Sequence, residues 1–174
     1  MKTYVRFLWL VAIVVLLFSC STPVSRPPEY TYQKEAITIT LKADPQLNLY
    51  QGSPHTLVLC TYQLKDPNAF NQLVDEREGL PKLLECGRFD GSVAYAKRLV
   101  VQPGQEAREY LDRAEGAKYL SVVAGYYNLQ KANVVRLYQI PVETLSSRSR
   151  DSKPRDLNID LYLGPQAILE TKGK

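Results

Sequence analysis

The strongest constraint on the fold of this chain is a series of short strand-like runs separated by turn residues. In residues 36–42, the apolar side chains Ile37, Ile39 and Leu41 alternate with polar ones, which is the period of a strand with one buried face. Similar runs follow at residues 56–64, 93–101, 107–111, 119–127, 134–142 and 157–163. Short strands at this spacing predict an all-β sandwich of about seven or eight strands over residues 36–174.

One segment interrupts the series of strands. After the second strand, Asp66 or Asn68 can cap a short helix over residues 69–73. Pro81 can occupy the first turn of another helix over residues 81–84. We therefore expect a short helical insertion between the second and third strands.

The N-terminus has the layout of a signal peptide. Lys2 and Arg6 precede an uninterrupted apolar run at residues 7–18, which ends just before Cys20. A membrane-spanning helix needs about 20 apolar residues, so this run is too short to span the bilayer. We predict that residues 1–19 are removed on export, although an ordinary signal peptide with a chance cysteine and an uncleaved anchor are alternatives.

The end of that run, Leu17-Phe18-Ser19-Cys20, resembles the lipobox of bacterial lipoproteins. The resemblance implies that Cys20 is acylated, for example with palmitate, and becomes the first residue of the mature chain. Ser21 after the cysteine implies sorting to the outer membrane, with the domain facing the periplasm. Residues 20–35 are polar and contain three prolines, as expected for a lipidated cysteine followed by a flexible linker.

The other two cysteines, Cys60 and Cys86, belong to the predicted exported domain. Thiols usually oxidise outside the cytoplasm, and a bridge between them would contribute about 3 kcal/mol in the chain-entropy model. The alternative is a pair of buried free thiols. Neither state implies catalysis.

The residues do not suggest catalytic, metal or nucleotide chemistry. His55 is the single histidine, whereas zinc sites need several clustered His or Cys ligands. The glycines lack the strand-loop-helix context of a phosphate-binding loop, and a net charge of +4 without a basic face does not indicate nucleic acid. We expect no enzyme activity, no cofactor, no metal and no small-molecule substrate.

A loop after the first strand is a candidate binding site. Leu47, Leu49 and Tyr50 are apolar residues in a stretch with turn residues at both ends. They either contact a partner or fold back to cap the core. Tyrosines in the predicted strands are core residues or, if outward-facing, can stack on sugars, so a lipoprotein module that binds a glycan or another periplasmic ligand is the alternative function.

The middle of the chain resembles the outer-membrane lipoprotein family of type VI secretion systems (TssJ/SciN-like). The resemblance lies in Cys60-Thr61-Tyr62-Gln63-Leu64-Lys65-Asp66-Pro67-Asn68-Ala69-Phe70, the Pro103-Gly104 turn and Val122-Val123-Ala124-Gly125-Tyr126-Tyr127, in this order. It implies a transthyretin-like β-sandwich without a catalytic site, anchored by lipid under the outer membrane.

The same resemblance implies a partner and a contact loop. The expected partner is the periplasmic C-terminal domain of the inner-membrane component TssM, and the complex would link the two membranes. The family's contact maps to the loop between the first two strands. In this chain the implied contact residues are Asp44, Gln46, Leu47, Asn48, Leu49, Tyr50 and Gln51.

Overall fold

The computed structural model describes residues 27–144 and 152–170, and these contain ten strands and three helices. In chain order the elements are β1 (Gln33–Ala43), β2 (Leu57–Leu64), α1 (Asn68–Asp75), α2 (Gly79–Leu83), β3 (Val93–Val101), β4 (Glu106–Arg113), β5 (Tyr119–Ala124), α3 (Lys131–Val134), β6 (Val135–Gln139), β7 (Val142–Thr144), β8 (Ser152–Pro154), β9 (Leu157–Leu163) and β10 (Ile168–Glu170). The predicted all-β class and the helical insertion between the second and third strands are confirmed.

The strands form two four-stranded sheets and a small hairpin. Sheet I has the order β10-β9-β1-β4, sheet II has the order β3-β2-β5-β6, and β7 pairs with β8. In sheet I, β1 runs antiparallel to β4 and parallel to β9, while all pairs of sheet II are antiparallel. The inner faces of the two sheets pack together to form the core.

Sheet I has one buried and one exposed face. On β1, Ile37, Ile39 and Leu41 are buried, while Thr38 and Thr40 between them are only half-buried. Their partner strand β9 repeats this alternation. Successive side chains of a strand point to opposite faces, so the sequence pattern of β1 corresponds directly to its burial.

The central strands of sheet II, β2 and β5, are in contrast covered on both faces. Seven of the eight residues of β2 are buried, because the helical insertion packs on the face that points away from sheet I. Tyr62 of β2 contacts the rings of Phe70 and Phe89, at centroid distances of 6.1 and 5.5 Å. Its hydroxyl donates a hydrogen bond to the carbonyl of Leu83, and burial raises the pKa of Tyr62 to about 12.

A disulfide fastens this helical layer to the sheet. Cys60 of β2 is bonded to Cys86, just after α2, with a Cα–Cα distance of 5.1 Å. Of the two alternatives open from the sequence, the structure contains the bridge. It closes a segment that holds both helices of the insertion.

The predicted count of seven or eight strands is too low. The additional strands β7, β8 and β10 are three residues long each, which is too short to show an alternating pattern. The predicted run 134–142 divides into the end of α3, β6 and the start of β7. The run 119–127 ends as a strand at Ala124.

Strand β1 begins at Gln33, three residues before the expected start of the domain at residue 36. Gln33 pairs with Arg113 across an irregularity in register, and Glu35 has a positive φ of 52°. A bulge breaks the alternation of side chains, so the sequence pattern of β1 becomes visible only from Ala36. The predicted signal peptide and Cys20 lie outside the described residues, among which no helix is long and apolar enough to cross a membrane.

Candidate docking surface at the loop end of the sandwich

Four loops meet at one end of the sandwich, which we call the loop end. They are the β1–β2 loop (44–56), the β3–β4 turn (102–105), the β5–α3 loop (125–130) and the β9–β10 loop (164–167). The β1–β2 loop is hydrogen-bonded to each of the others. The pairs are Gly104 N with Asp44 O at 3.1 Å, Tyr127 N with Asn48 Oδ1 at 3.0 Å, and Leu49 N with Pro165 O at 2.8 Å.

The start of the β1–β2 loop is fixed by Asp44 and Leu47. One carboxylate oxygen of Asp44 accepts a hydrogen bond from Gln46 N at 2.7 Å, and the other accepts one from the Tyr162 hydroxyl at 3.0 Å. The bond to this carboxylate raises the pKa of Tyr162. Leu47 is fully buried in the core, so its side chain caps the interior of the sandwich.

Asn48 connects the loop to its own end at Thr56 and to the β5–α3 loop. Its side chain is 5% exposed, its Nδ2 donates to Thr56 O at 3.2 Å, and its Oδ1 accepts from Tyr127 N at 3.0 Å. Asn48 also has a positive φ of 49°, a conformation that asparagine tolerates better than most residues. A buried side-chain amide with both groups bonded fixes the loop in one arrangement.

The tip of the loop is a tight two-residue turn. Tyr50 and Ser53 exchange two backbone hydrogen bonds of 2.9 Å, and both central residues, Gln51 and Gly52, have positive φ values of 49° and 77°. Positive φ at both central positions is the geometry of a type I′ turn. The tip of the loop is therefore a tight turn closed by one bridge between Tyr50 and Ser53.

Aromatic rings cover the outer surface of this turn. Tyr50 stacks on Tyr127 at a centroid distance of 4.2 Å and an interplanar angle of 14°. His55 meets the Tyr127 ring edge-on at 5.2 Å, and its Nδ1 lies 2.9 Å from Ser53 O. Tyr50 and Tyr127 remain 44% and 56% exposed, so the stack presents a large aromatic surface to solvent.

A cleft of about 190 Å³ runs beside the stack, lined by Asn48, Leu49, Tyr50, Tyr126, Tyr127, Asn128, Pro165 and Gln166. Tyr126 forms its floor: the ring is buried, and its hydroxyl donates to Ala167 O at 3.0 Å. Burial raises the pKa of Tyr126. The cleft walls carry amide and aromatic groups and no charged side chain.

The seven loop residues implied by the family resemblance thus lie in different environments. Leu47 and Asn48 are buried, Asp44 and Leu49 are half-buried, and Gln46, Tyr50 and Gln51 are exposed. A direct contact role is open to the exposed ones, whereas Leu47 and Asn48 would act by holding the loop. Sequence reasoning did not place Tyr127, Asn128 or Gln166 beside this loop, because only the strand topology brings their loops to the same end.

The chain enters the domain at the opposite end, which we call the tether end (residues 30–33 and 112–118). Tyr32 hydroxyl donates to Asp112 Oδ2 at 2.6 Å and Tyr32 N donates to Glu115 Oε2 at 2.6 Å. The guanidinium of Arg113, 2% exposed, donates to Thr31 O at 3.2 Å. Because Asp112 accepts from Tyr32 and from Glu35 N, its pKa is lowered.

The residues that the structure describes contain no cluster of metal-ligating side chains. In residues 27–144 and 152–170, no group of three His, Cys, Asp or Glu side chains is placed to hold a metal ion. His55, the single histidine, contacts the rings of Tyr50 and Tyr127 and the backbone carbonyl of Ser53.

The fold and the loop end together define a small β-sandwich with a helical layer on one sheet and four loops gathered at one end. Residues 35–164 match the family model T6SS-SciN, described as "Type VI secretion lipoprotein, VasD, EvfM, TssJ, VC_A0113". The chain therefore belongs to this family of type VI secretion lipoproteins. The predicted family is confirmed. The family is a structural component of the secretion system and is not known as an enzyme.

Solved structures agree with this assignment. The type VI lipoprotein TssJ1 from Pseudomonas aeruginosa is 27% identical with a TM-score of 0.56, over 82% of this chain and 95% of that one. Serratia marcescens Lip, a membrane-bound component of the type VI secretion system, is 18% identical with a TM-score of 0.60, over 79% of this chain and 98% of that one. No curated protein is significantly similar to the chain.

Proposed function

We propose that this protein is anchored in the outer membrane by lipid on Cys20, faces the periplasm, and serves as a structural component of the type VI secretion membrane complex. Its partner in this proposal is the periplasmic domain of a TssM-like inner-membrane protein, which binds at the loop end. The observation that carries the proposal is the placement of the aromatic loop end at the opposite end of the sandwich from the tether.

The distances favour this arrangement. A linker of about ten residues between Cys20 and Tyr30 reaches at most about 35 Å, so the tether end stays near the membrane surface. Strand β1 leads from Gln33 at the tether end to Ala43 at the loop end, a rise of roughly 33 Å at the usual strand spacing. The loop end can therefore point away from the outer membrane, toward an inner-membrane partner.

The choice of a TssM-like protein as the first partner to test comes from the family and its structural neighbours. A chain in a solved structure of the TssM C-terminal domain (869–1107) from EAEC has this fold, with 19% identity, a TM-score of 0.55, and coverage of 78% of this chain and 98% of that one. A chain in a solved type VI membrane complex has similar values. At this identity the likeness concerns the fold alone.

The anchor is tested by Cys20→Ser in the full-length protein expressed in its own host. We expect the variant to lose labelling by a clickable palmitate analogue and to leave the outer-membrane fraction. Ser21→Ala is the matched control, since it keeps the cysteine and should label and fractionate like the wild type. A Cys20→Ser protein that still sediments with outer membrane after a salt wash would contradict lipid anchoring.

The partner is tested by co-purification of the full-length protein, in mild detergent, with the periplasmic C-terminal domain of the TssM homologue from the same organism. We expect a complex, and its loss in Tyr50→Asp with an unchanged melting temperature. Isolated peptidoglycan sacculi are the comparison ligand. Retention on sacculi without binding to the TssM-like domain would support the alternative glycan-binding module and contradict the proposal.

A further inference from the structure

We infer that the docking surface is the whole loop end, with the Tyr50–Tyr127 stack as its anchor, and that it recognises an uncharged protein surface without ion pairs. The inference rests on the proposed function and specifies the chemistry of the partner's surface. It adds Tyr127, Asn128 and Gln166 to the residues that the β1–β2 loop contributes.

The first observation is the near absence of charge from the four loops. Segments 44–56, 102–105, 125–130 and 164–167 contain one Asp or Glu and no Lys or Arg. That single acid is Asp44, whose carboxylate is already bonded to Tyr162 and Gln46. Each of its oxygens therefore already accepts one hydrogen bond within the domain.

The charges that border the loop end are also paired within the domain. Lys42, at the end of β1, lies 3.2 Å from Glu106 at the start of β4. Lys131, the first residue after the β5–α3 loop, lies 2.5 Å from Asp75 of α1. These four side chains remain exposed, but each already has a partner of opposite charge within the domain.

This neutrality is local, since 23% of the residues of the chain are charged. At the tether end, Asp112, Arg113 and Glu115 follow one another closely in sequence, and Lys34 and Glu35 lie on the adjoining strand. Interface cores are depleted in charged residues and enriched in tyrosine relative to other protein surfaces. Both ends have exposed tyrosines, among them Tyr32 at the tether end, but only the loop end combines them with a scarcity of charge.

The second observation is that the exposed rings are held in place before any partner arrives. Tyr127 N is bonded to the buried Asn48, the Tyr50 backbone belongs to the type I′ turn, and the two rings pack on each other. A side chain that is already ordered loses less conformational entropy on binding. Rigid tyrosines in this setting commonly carry most of the binding energy of an interface.

The groups around the stack indicate what the partner's surface contains. The exposed amides of Gln51, Asn128 and Gln166 surround the rings and the cleft. Amides donate and accept hydrogen bonds without charge, so they match backbone groups and uncharged polar side chains. The fitting partner surface is therefore an apolar or aromatic projection bordered by uncharged hydrogen-bonding groups.

This chemistry gives a measurable signature in salt. Charge-driven association weakens steeply as ionic strength rises, whereas neutral contacts are little affected. We therefore propose to measure Kd between the full-length protein in detergent and the TssM-like periplasmic domain at about 50 and about 500 mM NaCl. The expected change in Kd is less than about twofold.

Variants of Tyr127 test the role of the Tyr50–Tyr127 stack in the same assay. Tyr127→Ala should weaken binding at least about 30-fold at both salt concentrations, as a hot-spot truncation does. Tyr127→Phe, which keeps the ring stack, should stay within about threefold of the wild type. Tyr110→Ala is the matched control, because Tyr110 is also 56% exposed but lies on β4 away from the four loops, and it should bind like the wild type.

The outcomes separate this inference from the proposed function. Wild-type binding that weakens tenfold or more in high salt overturns the neutral-surface inference and leaves the proposed function standing. Wild-type affinity in Tyr127→Ala, with its melting temperature unchanged, also overturns only the inference. No binding of the wild type at either salt concentration contradicts the proposed function and the inference together.

Discussion

The tether end and the loop end of the sandwich differ in what holds them. At the tether end, residues 31–35 are fixed to β4 and to the turn that follows it by hydrogen bonds from and to charged side chains, above all Asp112, Arg113 and Glu115. At the loop end, the β1–β2 loop is fixed by a buried leucine, a buried asparagine and backbone hydrogen bonds.

This difference suits the two ends to different tasks. At the tether end, charged groups bonded within the domain secure the entry of a polar linker and border the exposed ring of Tyr32. A loop secured from beneath by Leu47 and Asn48 keeps its outer side free, so Tyr50 and Tyr127 can be both ordered and exposed. Within this one loop, Leu47 and Asn48 therefore hold the backbone in place, while Tyr50 is free to contact a partner.

The largest effect should come from removing the buried support of the loop end. Leu47→Ala deletes a fully buried side chain and should lower the free energy of unfolding by about 3 kcal/mol. Tyr50→Ala, in the same loop but 44% exposed, should cost less than about 1 kcal/mol. Urea denaturation of both variants measures this, and equal losses would contradict the separation of support from contact.

Breaking the disulfide should destabilise the domain without favouring either end. The double variant Cys60→Ser/Cys86→Ser removes the bridge that fastens the helical layer, and the expected loss is roughly 3 kcal/mol in the chain-entropy model. The bond lies on sheet II rather than in the four loops, so partner affinity at 25 °C should be unchanged. Lost affinity in a variant that is still folded would show that the two regions are coupled.

A smaller loss of stability should follow from removing the buried side-chain amide of Asn48. Asn48→Ala leaves Tyr127 N and Thr56 O without their side-chain partner, which should cost about 1–3 kcal/mol. Asn128→Ala removes an exposed amide at the same end and should stay within about 0.5 kcal/mol of the wild type. Hydrogen exchange at Tyr127 N should accelerate in the first variant only, and unchanged exchange would show that Asn48 does not hold the loop.

The smallest effect should be the loss in acid of the stabilisation that Asp112 provides at the tether end. The hydrogen bonds from Tyr32 and Glu35 N lower the folded-state pKa of Asp112, so their stabilisation is present above the unfolded value of about 3.9 and is lost as pH falls through the lowered folded value. Asp112→Asn should therefore melt slightly below the wild type at neutral pH. The difference should disappear near pH 2 or below, and a difference that instead grows in acid would contradict this assignment.

Strands with one exposed face could be predicted from the sequence. In β1, the alternation of Ile37, Ile39 and Leu41 with threonines matches the alternation of buried and half-buried side chains in the structure. The same reasoning fails where the structure departs from a simple pleat. Because of the bulge between Gln33 and Ile37, the start of β1 could not be recognised from the sequence. The three-residue strands are too short to show an alternating pattern.

The candidate surface could be predicted only in part, for a different reason. The β1–β2 loop was predicted as a binding site because its apolar residues lie between turn residues. The sequence does not distinguish Leu47 from Tyr50, whereas in the structure Leu47 is fully buried and Tyr50 is exposed. Tyr127 lies far from that loop in the chain and reaches it through the pairing of β5 with β2. Lack of charge in four separate segments becomes meaningful only once the topology places them together.

The central claim is that the partner docks on the loop end, opposite the membrane tether. Site-specific photocrosslinking in the native host tests it most directly, with a benzophenone amino acid in place of Tyr127 in one strain and of Tyr110 in another. We expect a crosslink to the TssM-like protein from position 127 and none from position 110. Crosslinking of that protein from position 110 alone would contradict the claim.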